Sequence, residues 1–577
     1  DPGLPLYDEA SHAWAGVEVA DALRQFDAPA LFLALDRQVV WPFVHSLLLA
    51  PAYLAAGERI DVARLVSVAA WAVAALLMFA AGRALHPARG AWIGLVAAAL
   101  ALLSPLHQAF ATLAMLEAPG TLLLALALTL ALRTLPGPGP RSPALAAAIA
   151  GAALFLCKTN YGLLWLVPLL IAEWGEARPE QRASLRASLA AWWARRGWLG
   201  PLPLAFALGA IVTFAVLVTG GGEARLLGRR LAFHSPGNLV TALGWLGVLV
   251  LAWRAQRDRA AVRRAWGALE PRQRALAAGF LAPIALWLLI PWPNRIRALV
   301  DFASNRDSGL PFWTAQGFAY APRAFVTQCA PNLVAGIAVL GLALLPPPRA
   351  AKRSRLVWWA GLVALAATIV HRDRAPRFLA TVAPLLWLAA ADRAAALWAA
   401  LVDRAAPRAP LVRSVGVPVA LLAALALLVV VALRVPDLAR VRADRSGYLL
   451  RPDVAPAVDR VLVLAHDVPQ PAALLGFSNE LSPGLLRWRA LARGVSLAHF
   501  PRRPGPPTSR GASGAGRMGA FLLAALPESS LAASEPAWAA EVRADSGVAA
   551  RLAADPAVAT LCDETIAGVR VREFRLR

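Results

Sequence analysis

The feature that most restricts this chain is a rhythm. Apolar runs of roughly 14 to 24 residues follow one another, and arginines gather in every second connection between them. The runs lie near 62–82, 90–106, 115–132, 143–157, 161–174, 199–219, 238–253, 275–291, 332–346, 356–371, 378–401 and 415–434, which predicts twelve membrane spans. The clusters are Arg83 and Arg89; Arg133 and Arg141; Arg178, Arg182, Arg186, Arg195 and Arg196; Arg254 through Arg274; Arg349, Lys352, Arg353 and Arg355; and Arg404, Arg408 and Arg413. With all of them in the cytoplasm, the excess of positive charge on that side holds along the whole chain. Reading 143–157 and 161–174 as one broken helix would send the later, denser clusters outside, so two spans are expected there.

Composition agrees with a bilayer as solvent. Hydrophobic residues make up 59% of the 577, and charged residues only 16%, against roughly 25% in a soluble domain. The net charge of +23 is spread over short connections rather than collected on one face. It therefore serves topology and argues against nucleic acid as a partner. Cys157, Cys329 and Cys562 stand too far apart for a metal-type spacing and define no disulfide framework.

The remaining connections then face outward. Residues 1–61 form a first extracytoplasmic loop that carries Asp8 and Glu9; its apolar run, Val44 to Ala56, is too short to cross and reads as an interfacial or re-entrant helix. Residues 62–434 form the transmembrane helical domain, with a long outward loop at 292–331. Residues 435–577 turn polar and read as a small extracytoplasmic α/β domain. Strands are expected there at Val461–Leu464, Ala520–Leu526 and Val569–Phe574, and helices near Pro483–Arg493 and Val548–Ala554. The fold class is thus a polytopic α-helical membrane protein with a small α/β C-terminal domain.

The outward side collects the polar groups that can do chemistry. Asp8 and Glu9 are adjacent acids, which on most surfaces are merely solvated. Glu117 sits at the outer mouth of an apolar span, where an ionisable group faces a polar cavity or is a solvated helix end. Lys158 is one of two lysines in a chain that otherwise uses arginine; it is either a compact ammonium donor or a snorkelling side chain. His371, Arg372, Arg374 and Arg377 crowd a short outward connection, the wrong side for topology arginines. They call for an anion such as a phosphate, whether substrate or lipid headgroup. Trp313, Phe318 and Tyr320 in the long loop either stack on a sugar or form an interfacial belt. Two acids, a lysine and an arginine cluster on one side suit a group transfer: a carboxylate activates a hydroxyl and cations hold a phosphate leaving group. Asp8, Glu9, Glu117 and His371 show no metal-ligand spacing, so no cofactor is assigned and a divalent metal stays open. A transporter or flippase of an anionic lipid, and a catalytically inactive relative, are the competing classes.

Several short motifs, in order, resemble the GT-C glycosyltransferases, in particular the protein O-mannosyltransferase, aminoarabinose transferase and galacturonosyl transferase group. Tyr7-Asp8-Glu9-Ala10 resembles the acidic motif of that group's first outer loop. Trp41-Pro42-Phe43-Val44 and Ala63-Arg64-Leu65-Val66-Ser67 resemble the end of that loop and the entry to the next span. Glu117 matches the position of a second acid. Lys158-Thr159-Asn160-Tyr161-Gly162, Arg377-Phe378-Leu379 and Pro384, and Ser482-Pro483 with Trp488 are also similar. The chain departs from some members in having Val40-Trp41-Pro42-Phe43 where they have Lys-Pro-Pro-Leu, and Glu117 where others have Asp. The resemblance implies a polyprenyl-phosphate-linked sugar as donor, a hydroxyl acceptor, and inversion at the sugar carbon. It further implies a site on the outer face of what reads as a bacterial inner membrane. Asp8, Glu9 and Glu117 are then the catalytic acids; Lys158, His371, Arg372 and Arg377 hold the donor phosphate; Tyr161, Trp313 and Tyr320 contact substrate. It also implies a span before the acidic loop, so a transmembrane helix preceding Asp1 is expected.

Overall fold

A computed structural model describes residues 7–39, 41–134, 141–176, 179–194, 201–219, 223–226, 229–232, 246–247, 249–250, 252–289, 314–348, 351–370 and 375–405. Of the C-terminal part it describes 455–467, 472–475, 486, 488, 490–491, 520–525, 550, 553–554, 558–566 and 569–576. The architecture is mostly helical. Three helices open the chain: α1 (Tyr7–Arg24), α2 (Ala28–Asp36) and α3 (Val44–Ala56). They pack on one another through Ala10, Ala13, Val17, Leu49 and Tyr53. Asp27 caps α2, its carboxylate accepting from the Ala30 amide at 2.9 Å, and Pro29 follows inside the first turn where its missing N–H costs nothing.

The bundle begins with α4 (Ile60–Leu85), which packs on α5 (Gly90–Leu103) and α7 (Glu117–Thr134). Glycines set the α4–α5 approach: a Cβ on Gly82 would lie 2.3 Å from the Gly94 backbone, and one on Gly94 2.3 Å from the Phe79 carbonyl oxygen. Small residues at crossings are what apolar helices use in a solvent as apolar as themselves. α6 (Pro105–Ala111) turns 63° from α5. α8 (Arg141–Cys157) and α9 (Thr159–Glu176) pack side by side as separate helices with Lys158 at the turn between them. α8 also packs on Pro271–Leu289, and α9 on Lys352–Val370. The helix Ala383–Ala405 lies against α5, Leu333–Leu344 and Lys352–Val370.

The described helices account for part of the twelve expected spans. Among the described residues, four are long and apolar enough to cross a bilayer (Ile60–Leu85, Glu117–Thr134, Lys352–Val370 and Ala383–Asp403), and five if the bent α5–α6 pair is one span. Shorter apolar helices of 10–17 residues include Pro143–Cys157 and Leu333–Leu344, against about 20 for a full crossing, while Pro271–Leu289 has 19 residues. Run 415–434 and much of 238–253 lie outside the described residues. The chain is an integral membrane protein by these helices.

In the C-terminal part, strands β3 (Ala472–Leu475), β4 (Ala520–Ala525), β5 (Val558–Ile566) and β6 (Val569–Leu576) form a sheet of order β3-β4-β6-β5; β3 and β4 are parallel, the other pairs antiparallel. The strands expected near 520–526 and 569–574 are β4 and β6. Val461–Leu464 is no strand, however. It belongs to the helix Ala455–Asp467, where Ala457, Val458, Val461 and Leu462 are buried and Val463 is 52% exposed. Burial at i, i+1, i+4 and i+5 is helical, and the run of four apolar residues hid that period. Earlier in the chain, β1 (Glu223–Leu226) and β2 (Arg229–Ala232) form a small antiparallel hairpin, and the second half of the long loop is helix Ala315–Ala324 running into a π-helix, Phe325–Cys329.

Candidate active site

The site is built around the first turn of α1. Successive side chains on a helix diverge by about 100°, so Asp8 and Glu9 leave the same turn toward different partners. Asp8, 8% exposed, accepts from Arg377 Nη1 at 2.6 Å. Glu9 is fully buried and accepts from Arg64 Nε at 2.8 Å, Arg64 Nη2 at 3.0 Å and the Ala114 amide at 2.9 Å. That forked grip joins α1 to the start of α4 and to the turn before α7. Acids in the first turn of α1 also oppose the positive end of its backbone dipole.

Arg377 stands on a short 3-10 turn, Pro376–Leu379, that precedes the helix Ala383–Ala405. Polar groups from α6 and α7 secure this turn. His107 Nε2 lies 2.8 Å from the Ala380 carbonyl oxygen, and Thr121 Oγ1 donates to that oxygen at 3.2 Å. His107 Nδ1 in turn meets Ser104 Oγ at 2.9 Å, so both of its ring nitrogens are occupied. A second ion pair lies alongside: Lys158 Nζ donates to Glu117 Oε1 at 2.8 Å and to Tyr161 Oη at 3.2 Å. Glu117 opens α7 and is 1% exposed; its Oε2 has no hydrogen-bond partner among the described residues. Gly120 makes room for this arrangement, because a Cβ there would lie 2.7 Å from two atoms of the Tyr161 ring. Phe378 connects the two pairs, its ring centroid 5.3 Å from Lys158 Nζ and 5.6 Å from Arg377 Cζ.

One turn along α1 from Asp8 comes His12, 6% exposed, edge-on to Trp41 at 5.0 Å and to His45 at 5.8 Å between ring centroids. Burial pushes the His12 imidazole down to about 4, with Asp8 and Glu117 pulling the other way. Burial likewise takes His45 to about 3. For Asp8, burial disfavours the charge but Arg377, His12 and Lys158 outweigh it, and the carboxyl lies below its ordinary 3.8. At rest Asp8 is therefore an ionised carboxylate matched by Arg377, next to a neutral imidazole.

Asp8, Glu117, Lys158, Tyr161 and Arg377 thus lie close together around Phe378. Glu9 adjoins them but is turned to Arg64. Tyr320, in helix Ala315–Ala324, packs at the edge of the main core. Trp313, His371 and Arg372 lie outside the described residues. The sequence reading passed over Arg64, His12, His45 and His107 as site residues. His12 had a signal in its i+4 spacing from Asp8, and Arg64 in being a cation at the outward end of an apolar run. Among the described residues no three His, Cys, Asp or Glu side chains gather as a metal site.

From the C-terminal part, Trp488 reaches this helix too: its Nε1 donates to the Ala10 carbonyl at 3.0 Å, and its ring sits edge-on to Trp14 at 6.1 Å.

No protein-family model matches this chain, and no curated protein matches it. Among solved structures, ArnT from Cupriavidus metallidurans bound to undecaprenyl phosphate is similar with a TM-score of 0.50 at 14% identity, over 99% of this chain and 94% of that one. Its apo state gives 0.48 at 14% identity with the same coverage. The archaeal oligosaccharyltransferase AglB from Archaeoglobus fulgidus, in complex with an inhibitory peptide and a dolichol-phosphate, gives 0.39 at 15% identity, over 81% of this chain and 55% of that one. With an apolar helical bundle followed by a small C-terminal sheet, and a likeness to ArnT over nearly its whole length, this chain shares the fold of ArnT.

Proposed function

We propose that this protein is an integral-membrane glycosyltransferase that moves a sugar from a polyprenyl-phosphate donor to a hydroxyl acceptor, with inversion at the sugar carbon. The observation that carries the reading is the pair of buried carboxylate–cation contacts, Asp8–Arg377 and Glu117–Lys158, on either side of Phe378. The fold supports it, since ArnT holds undecaprenyl phosphate. At rest each cation neutralises a carboxylate. A donor phosphate competes for those cations, and a cation drawn toward phosphate uncovers a carboxylate for the incoming hydroxyl. Donor binding and activation of the base are thereby coupled. Asp8 is the base, because among the described residues a single cation contact engages it, whereas three donors already grip Glu9. Glu9 orients α1, and Glu117 sets the position of Lys158. Lys158 and Arg377 stabilise charge on the departing phosphate, joined on sequence grounds by His371 and Arg372. Tyr161, Trp313 and Tyr320 are assigned to substrate contact.

The alternating arginine clusters support an extracytoplasmic position for this site and the C-terminal domain, in a bacterial inner membrane. Purified protein in liposomes should release free polyprenyl phosphate from a panel of polyprenyl-phosphate sugars offered with hydroxyl acceptors. Asp8→Asn should insert normally and release none. An Asp8→Asn protein as active as wild type would remove Asp8 from the chemistry.

A further inference from the structure

The histidines near the site divide into two kinds. His107 has both ring nitrogens engaged, by Ser104 and by the Ala380 carbonyl, as a structural histidine should. His12 and His45 are as deeply buried but differ. His12 makes edge-on ring contacts with Trp41 and His45 and no hydrogen bond to a described residue. His45 Nε2 is buried without a partner among the described residues. Leaving a buried group unpaired, as at His45 Nε2, costs stability. His12 also stands at i+4 from Asp8, the spacing that puts two side chains on one helix face about 5–6 Å apart at Cβ.

We infer that His12 is the proton relay for Asp8, taking the proton that the carboxylate removes from the acceptor hydroxyl. The inference rests on the glycosyltransferase reading. In the transfer, the acceptor O–H bond breaks and its oxygen forms the new bond to the sugar carbon. The bond from that carbon to the phosphate oxygen breaks, and its electron pair leaves with the phosphate. The proton passes to Asp8 and then to the His12 imidazole. Asp8 is restored to the anion that Arg377 prefers, and the imidazolium adds a cation beside a phosphate that has gained negative charge. The charged groups facing His12 among the described residues fit this cycle: Asp8 on its own helix, Glu117 from α7, Lys158 from the α8–α9 turn and Arg377 from the 3-10 turn, with His45 from α3 against its ring. At rest burial keeps the imidazole neutral, at about 4, so it is free to accept; the new phosphate charge raises its basicity when the proton arrives.

The test is His12→Gln, similar in size and polar but without a titration near neutrality, measured against wild type and Asp8→Asn in liposomes. Expected is a loss of at least about tenfold in kcat, a donor KM within about twofold, and loss of the acidic limb of the pH–kcat profile. For His12→Ala, added imidazole should restore part of kcat with a pH dependence of its own, which a packing role does not predict. As a second readout, histidine nitrogen NMR of the folded wild type should show the His12 ring shifting toward imidazolium when undecaprenyl phosphate is added. A wild-type kcat and pH profile in a folded His12→Gln protein overturns the relay and leaves the transferase reading standing. Failure of the transferase reading shows in the wild type itself, as no release of polyprenyl phosphate from any donor, and the relay falls with it.

Discussion

The Glu9–Arg64 contact gives the sharpest test of which acid is structural. Glu9 is 0% exposed and takes three donors, two from Arg64 and one from the Ala114 amide. Arg64→Ala strips two of them and leaves a buried carboxylate on one amide, a change that costs about 3–5 kcal/mol when a buried pair loses one member. Against a typical total of about 5–15 kcal/mol this is a large fraction. Glu9→Gln keeps an oxygen for the Ala114 amide but turns an NH2 group toward the guanidinium, for about 1.5–3 kcal/mol. In the double variant Glu9→Leu with Arg64→Met no charge is stranded. The Ala114 amide loses its partner, at about 1–3 kcal/mol, so the double change should cost less than Arg64→Ala alone by about 2 kcal/mol. Equilibrium unfolding in mixed micelles measures all four proteins. At a matched folded fraction, Glu9→Gln should keep activity within about tenfold of wild type. An Arg64→Ala protein within about 1 kcal/mol of wild type refutes a structural role for the Glu9–Arg64 pair. A folded Glu9→Gln protein as inactive as Asp8→Asn moves Glu9 into the chemistry.

Lys158→Met leaves Glu117, whose Oε2 already has no hydrogen-bond partner among the described residues, without its cation; a loss of about 3–5 kcal/mol in the same unfolding measurement is expected. Gly120→Ala drives a methyl into the Tyr161 ring, and overpacking of this kind costs about 1–3 kcal/mol; polyprenyl-phosphate release should fall with it as Tyr161 moves off Lys158. Stability should also decline in mild acid. His12 takes up its proton at about 4 in the fold against 6.5 unfolded, so the unfolded chain binds protons first as pH falls, and His12 withdraws ~3 kcal/mol between those two values and little below. His45 acts in the same direction down to about 3. The Asp8 contribution has the opposite form, fully present above its ordinary 3.8 and lost only as pH falls through the lower value of the fold. Unfolding free energies at pH 7, 5.5 and 4.5 should therefore fall for wild type and less for His12→Gln.

Membrane character and the outlines of most helices could be read from the chain because both depend on local quantities, run length and the position of charges. The separate helices α8 and α9 with Lys158 between them were reached this way, from arginines as distant as Arg274 and Arg413. What run length did not supply is how far each helix crosses. Pro168 and Pro283 sit inside helices, and α5 ends at Ser104, where α6 turns away by 63°; a hydropathy sum passes over all three. α1 was missed for the opposite reason. Its buried face is made of alanines with Val17 and Val19, residues too small to raise a strong apolar stripe, and its stability comes from α3 and Trp488 rather than from its own sequence.

The two opening acids mark the limit of reading a site from sequence. Topology places Asp8 and Glu9 at one end of the bundle with Glu117, Lys158 and Arg377, and that much depends only on which side of a membrane each connection reaches. Which acid is free for chemistry depends on an angle and on distant partners: Arg64 lies 55 positions from Glu9, and Arg377 lies 369 from Asp8. Arg64 stands at the start of α4; it takes the inward acid and fixes α1. Asp8 is left to the cation that arrives last, on a 3-10 turn held by two side chains to one carbonyl oxygen. A carboxylate gripped in a fork by a neighbouring helix is poorly placed to exchange partners. One whose cation stands on a separate turn can give that cation to a phosphate, and this difference, rather than the order of two letters in the chain, makes Asp8 the proposed base.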